Sequence, residues 1–201
     1  MLHKNSQKRI YEEGAIYFIT SKVDIDHRVN LGVKEFFREE IFCELWLEEL
    51  KLVKELKQFE LFAFCLLPDH FHLLLRTKGN ENISRVMQFF KRHFSRNANW
   101  LSGCLPEGDI RECRLLQDED NKHLKEVVSS HDEKLREMKK RIRNHFPKFV
   151  WQKSFHDHII RGERDFENHF IYATQNHIKH GLSENWKYTS LNYSEMIDDL
   201  G

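Results

Sequence analysis

The sequence predicts an α+β fold of the ferredoxin-like, split-βαβ kind: an antiparallel sheet with helices on one face, plus a helical insertion. Three observations lead there. Hydrophobic spacing alternates along the chain between the strand and helix periods, in the order strand, helix, strand, strand, helix, insertion, strand, helix. Hydrophobic residues make up 40% of the chain, with 16 Phe, and charged residues 32%, against only 8 Gly and 3 Pro; long regular elements fit this better than loops or disorder. A length of 201 residues suits one domain, 1–201, with the insertion at about 104–147.

The elements follow in order. Residues 15–23, AIYFITSKV, alternate and are rich in β-branched and aromatic side chains, the mark of a strand. Residues 34–57 lack Gly and Pro and carry Phe37, Ile41, Leu45 and Trp46 at helical spacing, as one long helix or two joined closely. FELFAFCLL, 59–67, reads as a central strand, Pro68-Asp69 as a turn and HFHLLLRT, 70–77, as the returning strand. Residues 83–101 form the clearest helix, with Ile83, Val86, Met87, Phe90, Phe94 and Leu101 on one face. The insertion begins loop-like and becomes an amphipathic helix striped by Leu124, Val127, Val128, Leu135, Met138 and Ile142. FVWQKSFHDHIIR, 149–161, is a strand candidate, and a last helix runs from an Asp165 N-cap to a Gly181 C-cap. In this plan the second face of the sheet stays open for a site.

Charge narrows the function classes. Lys plus Arg and Asp plus Glu both number 32, so bulk charge does not coat nucleic acid, although a local basic face remains open. Residues 83–105 hold Arg85, Lys91, Arg92 and Arg96 and no acid. The amino terminus has no apolar run for a signal peptide, and no window approaches the roughly 20 apolar residues of a membrane span. With 4 Cys and no C-x-x-C pair, a reducing, cytoplasmic setting with free thiols is expected; Cys104, Cys113 and His123 lack the tight spacing of a structural zinc site.

Chemistry concentrates in four places. On a strand His70 and His72 share a face, while Phe71, Leu73 and Leu75 take the core face, so two imidazoles stand where they can share a cation. His156 and His158 form a competing dyad, and spacing alone ranks neither above the other. On the last helix Tyr172, Asn176 and Lys179 fall at i, i+4 and i+7, offering a nucleophile, a metal ligand and a phosphate contact on one stripe. On helix 83–101 Arg85, Arg92 and Arg96, with Lys91 nearby and Phe89 adjacent, suit phosphate contacts and a stacked base; a merely solvated face gives the same pattern.

Two blocks carry a family resemblance. PDHFHLLL resembles the P-N-H-F-H-L-L signature of HUH single-tyrosine transposases, and WQKSFHDHIIRGERDFENHFIYATQNHIKHGL resembles the second block of the REP-associated tyrosine transposases. NWKYTSLNY, 185–193, is similar to that family's closing W-x-x-S-S element. The match spans about residues 9–101 and 149–193. The resemblance implies His70 and His72 as the two metal ligands, Tyr172 as nucleophile, Asn176 as third ligand, Lys179 as the lysine near the tyrosine, and His158 as a supporting or DNA-contacting group. Asp69 departs from the family's Asn, His177 from its Pro and His180 from its Ala, and the insertion is longer than the family's.

What the resemblance implies is a divalent-metal-dependent, Mg²⁺ or Mn²⁺, single-stranded DNA endonuclease and strand transferase. It forms a 5′-phosphotyrosine link at hairpin-bearing DNA, a repeat element or a transposon end, as monomer or homodimer. A phenol in water ionises only near pH ~10, so the attacking oxygen needs help at neutral pH. Two rivals stand beside this reading: a non-catalytic nucleic-acid-binding module on the same fold, and a host-adapted transposase that binds and nicks without moving DNA. A sheet presenting histidines rather than stacking aromatics favours the enzyme.

Overall fold

A computed structural model describes residues 11–24, 35–79, 81–105, 122–142 and 146–200. Four strands, β1 (Ile16–Lys22), β2 (Glu60–Leu66), β3 (His70–Arg76) and β4 (His156–Ile159), form one sheet in the order β2-β3-β1-β4. Every neighbouring pair is antiparallel. β3 therefore lies between the two strands joined by the first helix, which is the split-βαβ arrangement expected. The β1–β3 register sets Thr20 opposite His72 and Lys22 opposite His70, while β4 sets His158 opposite Phe18.

Strand alternation divides the sheet into two faces. Tyr17, Ile19, Phe71, Leu73 and Leu75 join the main core with Trp46 of α1 (Glu40–Lys57) and Phe90 and Phe94 of α2 (Ile83–Leu101). Trp46 packs on both Phe64 and Phe71, at 5.5 and 5.3 Å between ring centroids, and Phe90 on Phe71 at 5.6 Å. A short 3-10 turn, Phe36–Arg38, precedes α1, so the predicted long helix is two pieces joined closely. Asn82 caps α2, its side chain accepting the Arg85 N–H at 2.9 Å.

The other face is not left open. α4 (Glu163–Lys179) lies on it, and Phe18, Phe62, Ala63, Leu74 and Ala173 make a second small core beneath, with Phe166, Phe170 and Tyr172 against it. A bulge in β2 helps: Leu61 pairs with Leu75 and Ala63 with Leu74, so Phe62 is the extra residue and both Phe62 and Ala63 face α4. α4 begins three residues earlier than expected, with Gly162 rather than Asp165 as N-cap. Asp165 sits instead in the first turn, where its carboxylate accepts the Arg161 N–H at 2.9 Å. The helix ends on a Schellman arrangement: Gly181 has φ 69°, its N–H reaches the Ile178 carbonyl, and the Leu182 N–H reaches that of His177. β4 is shorter than the predicted 149–161 strand; Trp151 makes only an isolated bridge to Val23.

Of the insertion, the described part is α3 (Lys122–Arg141) and the residues beside it; Cys113 lies outside the described residues. α3 docks on α1 and α2 through Leu135 and Met138, and several of its bases are spent on tethering. Lys134 pairs with Glu48 at 2.6 Å, Arg141 with Glu44 at 2.6 Å, and Lys139 caps the Trp100 and Leu101 carbonyls at the end of α2. Residues after α4 seal the free edge of β2: the Leu66 N–H donates to the Tyr188 carbonyl at 2.9 Å, and the Leu61 N–H to Asp198 at 2.7 Å. An edge strand left bare invites pairing with other chains, so this strap explains why the closing NWKYTSLNY element follows the helix.

Candidate active site

His70 and His72 both point to the α4 face, as the alternation of β3 requires, but they are not half-exposed. They are 4% and 3% accessible, because α4 roofs them. Each has one ring nitrogen held by an oxygen. His70 Nδ1 lies 2.5 Å from Asp69 Oδ1, and His72 Nδ1 lies 2.8 Å from Thr20 Oγ1. His72 Nε2 faces Asn176 Nδ2 at 2.9 Å, so the amide donates to it and the His72 proton resides on Nδ1, directed at Thr20. Burial, with His70 and His180 nearby, pushes His72 down to about 3, so its ring is neutral at physiological pH. The His70 hydrogen bond holds the Asp69 carboxyl below its usual range despite partial burial.

α4 brings the rest. Asn176 is 1% accessible, and one turn earlier the Tyr172 ring stands edge-on to His72 at 5.1 Å and to Phe18 at 5.7 Å. Lys179 Nζ sits 4.8 Å from the Tyr172 ring centroid, a cation over a π face. The His180 ring closes one end, 5.0 Å from His70, with its own pKa lowered by burial and by His70. The result is a cleft of about 480 Å³ lined by Phe18, Thr20, Lys22, His70, His72, Asn168, His169, Tyr172 and His180.

Thus His70, His72, Tyr172 and Asn176 converge from β3 and α4, with Lys179 at their side. His158 stands beside the cleft on β4, its ring stacked on His169 at 4.6 Å. The predicted DNA-contacting residues of α2 do not join them. That helix packs on the opposite face of the sheet, and Arg85 and Arg92 are exposed on its far side, with Arg96 half-buried. Lys91 is committed elsewhere, donating to the Gln152 and Ser154 carbonyls at 2.7 and 3.0 Å. Phe89 is no open stacking platform: it packs against the core, the His93 ring lies on it at 4.6 Å, and Lys57 Nζ stands 5.3 Å away. Sequence reading missed Phe18, Thr20, Lys22 and His169. Thr20 and Lys22 were findable in principle, since the alternation of β1 puts them on one face, but their register against His72 and His70 needs the sheet.

Comparison with known proteins agrees with the motifs. The family model described as "Transposase IS200 like" matches residues 34–103, from α1 through α2. The mixed helical and antiparallel-sheet domain is thus similar in that segment to the IS200-like transposases and has the fold of a tyrosine transposase. Over most of its length the chain is also similar to proteins named as REP-associated tyrosine transposases. It is 28% identical over 190 residues to a protein of Haemophilus influenzae named for that group, covering 92% of this chain and 85% of that one. A solved REP-associated tyrosine transposase, bound to a REP hairpin, shares the fold with a TM-score of 0.58 at 18% identity, covering 92% of this chain and 82% of that one.

Proposed function

We propose that this protein nicks and rejoins single-stranded DNA in a metal-dependent reaction, with Tyr172 as nucleophile and His70, His72 and Asn176 as the metal ligands. The observation that carries the reading is the orientation of the two imidazoles. Each Nδ1 is engaged by an oxygen, Asp69 or Thr20, which is how ligating histidines are usually fixed, with Nε2 left as the donor. His72 is neutral, as a ligand must be, and the Asn176 amide is already within 2.9 Å of its Nε2. The donor set fits a divalent cation, and its two imidazoles suit Mn²⁺ at least as well as Mg²⁺. When bound, such an ion polarises the scissile phosphate and offsets the charge that develops on it.

The residues do the remainder. The Tyr172 oxygen attacks phosphorus in line; the new O–P bond forms as the P–O3′ bond breaks, leaving a 5′-phosphotyrosine and a free 3′-hydroxyl. The phenolic proton passes to solvent, and the Lys179 ammonium beside the Tyr172 ring stands where it can meet the phosphate. Rejoining is the reverse, with a 3′-hydroxyl as nucleophile. A strand that is single-stranded at the cut suits the half-roofed cleft. Lys22 and His180 at the rim suit its phosphates, and a neighbouring hairpin is the element by which the DNA would be held in register.

Tyr172→Phe removes one oxygen and leaves the packing on Phe18 and His72. Incubated with end-labelled hairpin-bearing single-stranded DNA and Mn²⁺, the parent is expected to give a covalent adduct on a denaturing gel. The variant should give no adduct and no nick, with DNA affinity within a few-fold. An adduct that persists, or maps to another tyrosine, overturns the assignment; nicking by the parent without an adduct points to hydrolysis by water instead.

A further inference from the structure

Beside the cleft stands a second cluster that this mechanism does not use. His158 on β4, Asp165 in the first turn of α4 and His169 one turn later converge, and their donor atoms all lie within 4.8 Å of one another. His158 Nε2 is 2.9 Å from Asp165 Oδ2 and His169 Nδ1 is 3.0 Å from Asp165 Oδ1. The carboxylate is fixed in place by the Arg161 N–H at 2.9 Å, and that bond, with His158, holds its pKa below the usual range. His169 Nδ1 also lies 2.9 Å from the Asp165 carbonyl. Among the described residues this is the one group of three His, Cys, Asp or Glu side chains within ligating reach.

We propose that His158, Asp165 and His169 form a second divalent-cation site of the zinc type, clipping β4 to the start of α4. Two imidazoles and one carboxylate are a frequent zinc donor set, and bonds of about 2.1 Å put tetrahedral ligand atoms about 3.4 Å apart. The present spacings of 2.9 and 3.0 Å need to open by only a few tenths of an ångström. A fourth position remains open to water or to a phosphate oxygen entering the cleft that His169 lines. The site is separate from His70, His72 and Asn176. Between the two clusters stands the Phe18 ring, 4.7 Å from His169 and 5.2 Å from His72, an apolar group rather than a bridging ligand. It is thus independent of the nicking reaction proposed above.

The test uses the full chain, tag removed and stripped with chelator, and Zn²⁺ alone as probe, with bound metal counted after equilibrium dialysis. In a His70→Ala/His72→Ala background, which silences the other cluster, one Zn²⁺ per chain is expected. Adding His158→Ala and His169→Ala should weaken it by about 100-fold or more. Asp165→Asn, nearly isosteric, should weaken it by about tenfold with an unchanged circular dichroism spectrum, so that loss of fold is not mistaken for loss of a ligand. Co²⁺ substituted in the same background should give visible d–d absorption that disappears in these variants. No stoichiometric Zn²⁺ in the background protein, or binding indifferent to His158, Asp165 and His169, overturns the proposal and leaves the cluster a hydrogen-bonded clasp. Failure of the His70 and His72 assignment would show separately, as Mn²⁺ binding by the parent that those two substitutions do not change.

Discussion

At His72 the two ring nitrogens have different tasks, and a side chain that no motif contains divides them. Thr20 accepts from Nδ1 at 2.8 Å, which keeps Nε2 as the lone-pair donor facing Asn176. Thr20→Val keeps the shape and removes the acceptor. Mn²⁺ affinity is expected to fall by about 10–100-fold, the usual effect of losing a partner behind a ligand, while His156→Ala leaves it unchanged. Asp69→Asn is a contrast at the same scale. It restores the residue that the resembled family carries and keeps an oxygen acceptor for His70 Nδ1, so its effect should be the smaller of the two. Calorimetric titration of each variant decides this; equal losses for Thr20→Val and His156→Ala would mean that Nδ1 of His72 does not orient the ring.

Between elements, the placement of α4 and α2 on opposite faces changes which cations can meet DNA. The arginine stripe of α2 had the better pattern, four bases with no acid, but its helix is turned to the far side of the molecule. Lys22, at the end of β1, lines the cleft and is exposed. With a single-stranded oligonucleotide just long enough to fill the cleft, Lys22→Ala is expected to weaken binding and to reduce the slope of log affinity against log salt by about 1. Arg92→Ala should leave that slope unchanged with the same oligonucleotide. If Arg92→Ala and not Lys22→Ala flattens it, DNA runs along α2 and the cleft is not its seat. The insertion helix α3 is held differently, by a polar clasp within the core: the fully buried Glu49 of α1 accepts from Asn97 of α2, and His131 of α3 lies 3.1 Å from the same oxygen. His93 Nδ1 stands 3.7 Å from the other oxygen.

For the whole molecule, the order and kind of elements were legible because the period of the apolar residues differs between strand and helix; α2 matched residue for residue and β3 to within one residue at its end. The convergence of His70, His72, Tyr172 and Asn176 was legible through motif and helical spacing. Layer was not: a helix's apolar stripe says which side is inward but not which face of the sheet it meets, so α2's basic stripe and α4's roof over the histidines could not be placed. Nor does a local pattern announce a buried carboxylate. Glu49 sits in a helix that reads as amphipathic, and its partners lie 48 and 82 residues away in sequence. These two buried ionisable centres together set how the fold responds to acid. Burial lowers His72 from 6.5 to about 3. Burial alone would raise Glu49, but its contacts with His131 and His93 outweigh it and hold the carboxyl at about 2, down from 4.5. In both cases the folded pKa lies below the unfolded one, so between the two values the unfolded chain binds more protons and stability falls as pH falls. His72 acts first, from pH 6.5 downward, and Glu49 adds its loss below 4.5. In chelator-treated protein, urea unfolding is expected to lose about 1 kcal/mol of stability between pH 7.5 and 5.5 from His72, with a steeper loss below pH 4.5. His72→Asn should flatten the upper step alone. Glu49→Gln should flatten the lower one, at the cost of about 3 kcal/mol at neutral pH from a buried polar cluster left incomplete. A midpoint that does not move between pH 7.5 and 5.5 in the parent would show that His72 takes up its proton as readily in the folded as in the unfolded chain, so that α4 shields it less than its packing on Phe18, Phe62 and Leu74 implies.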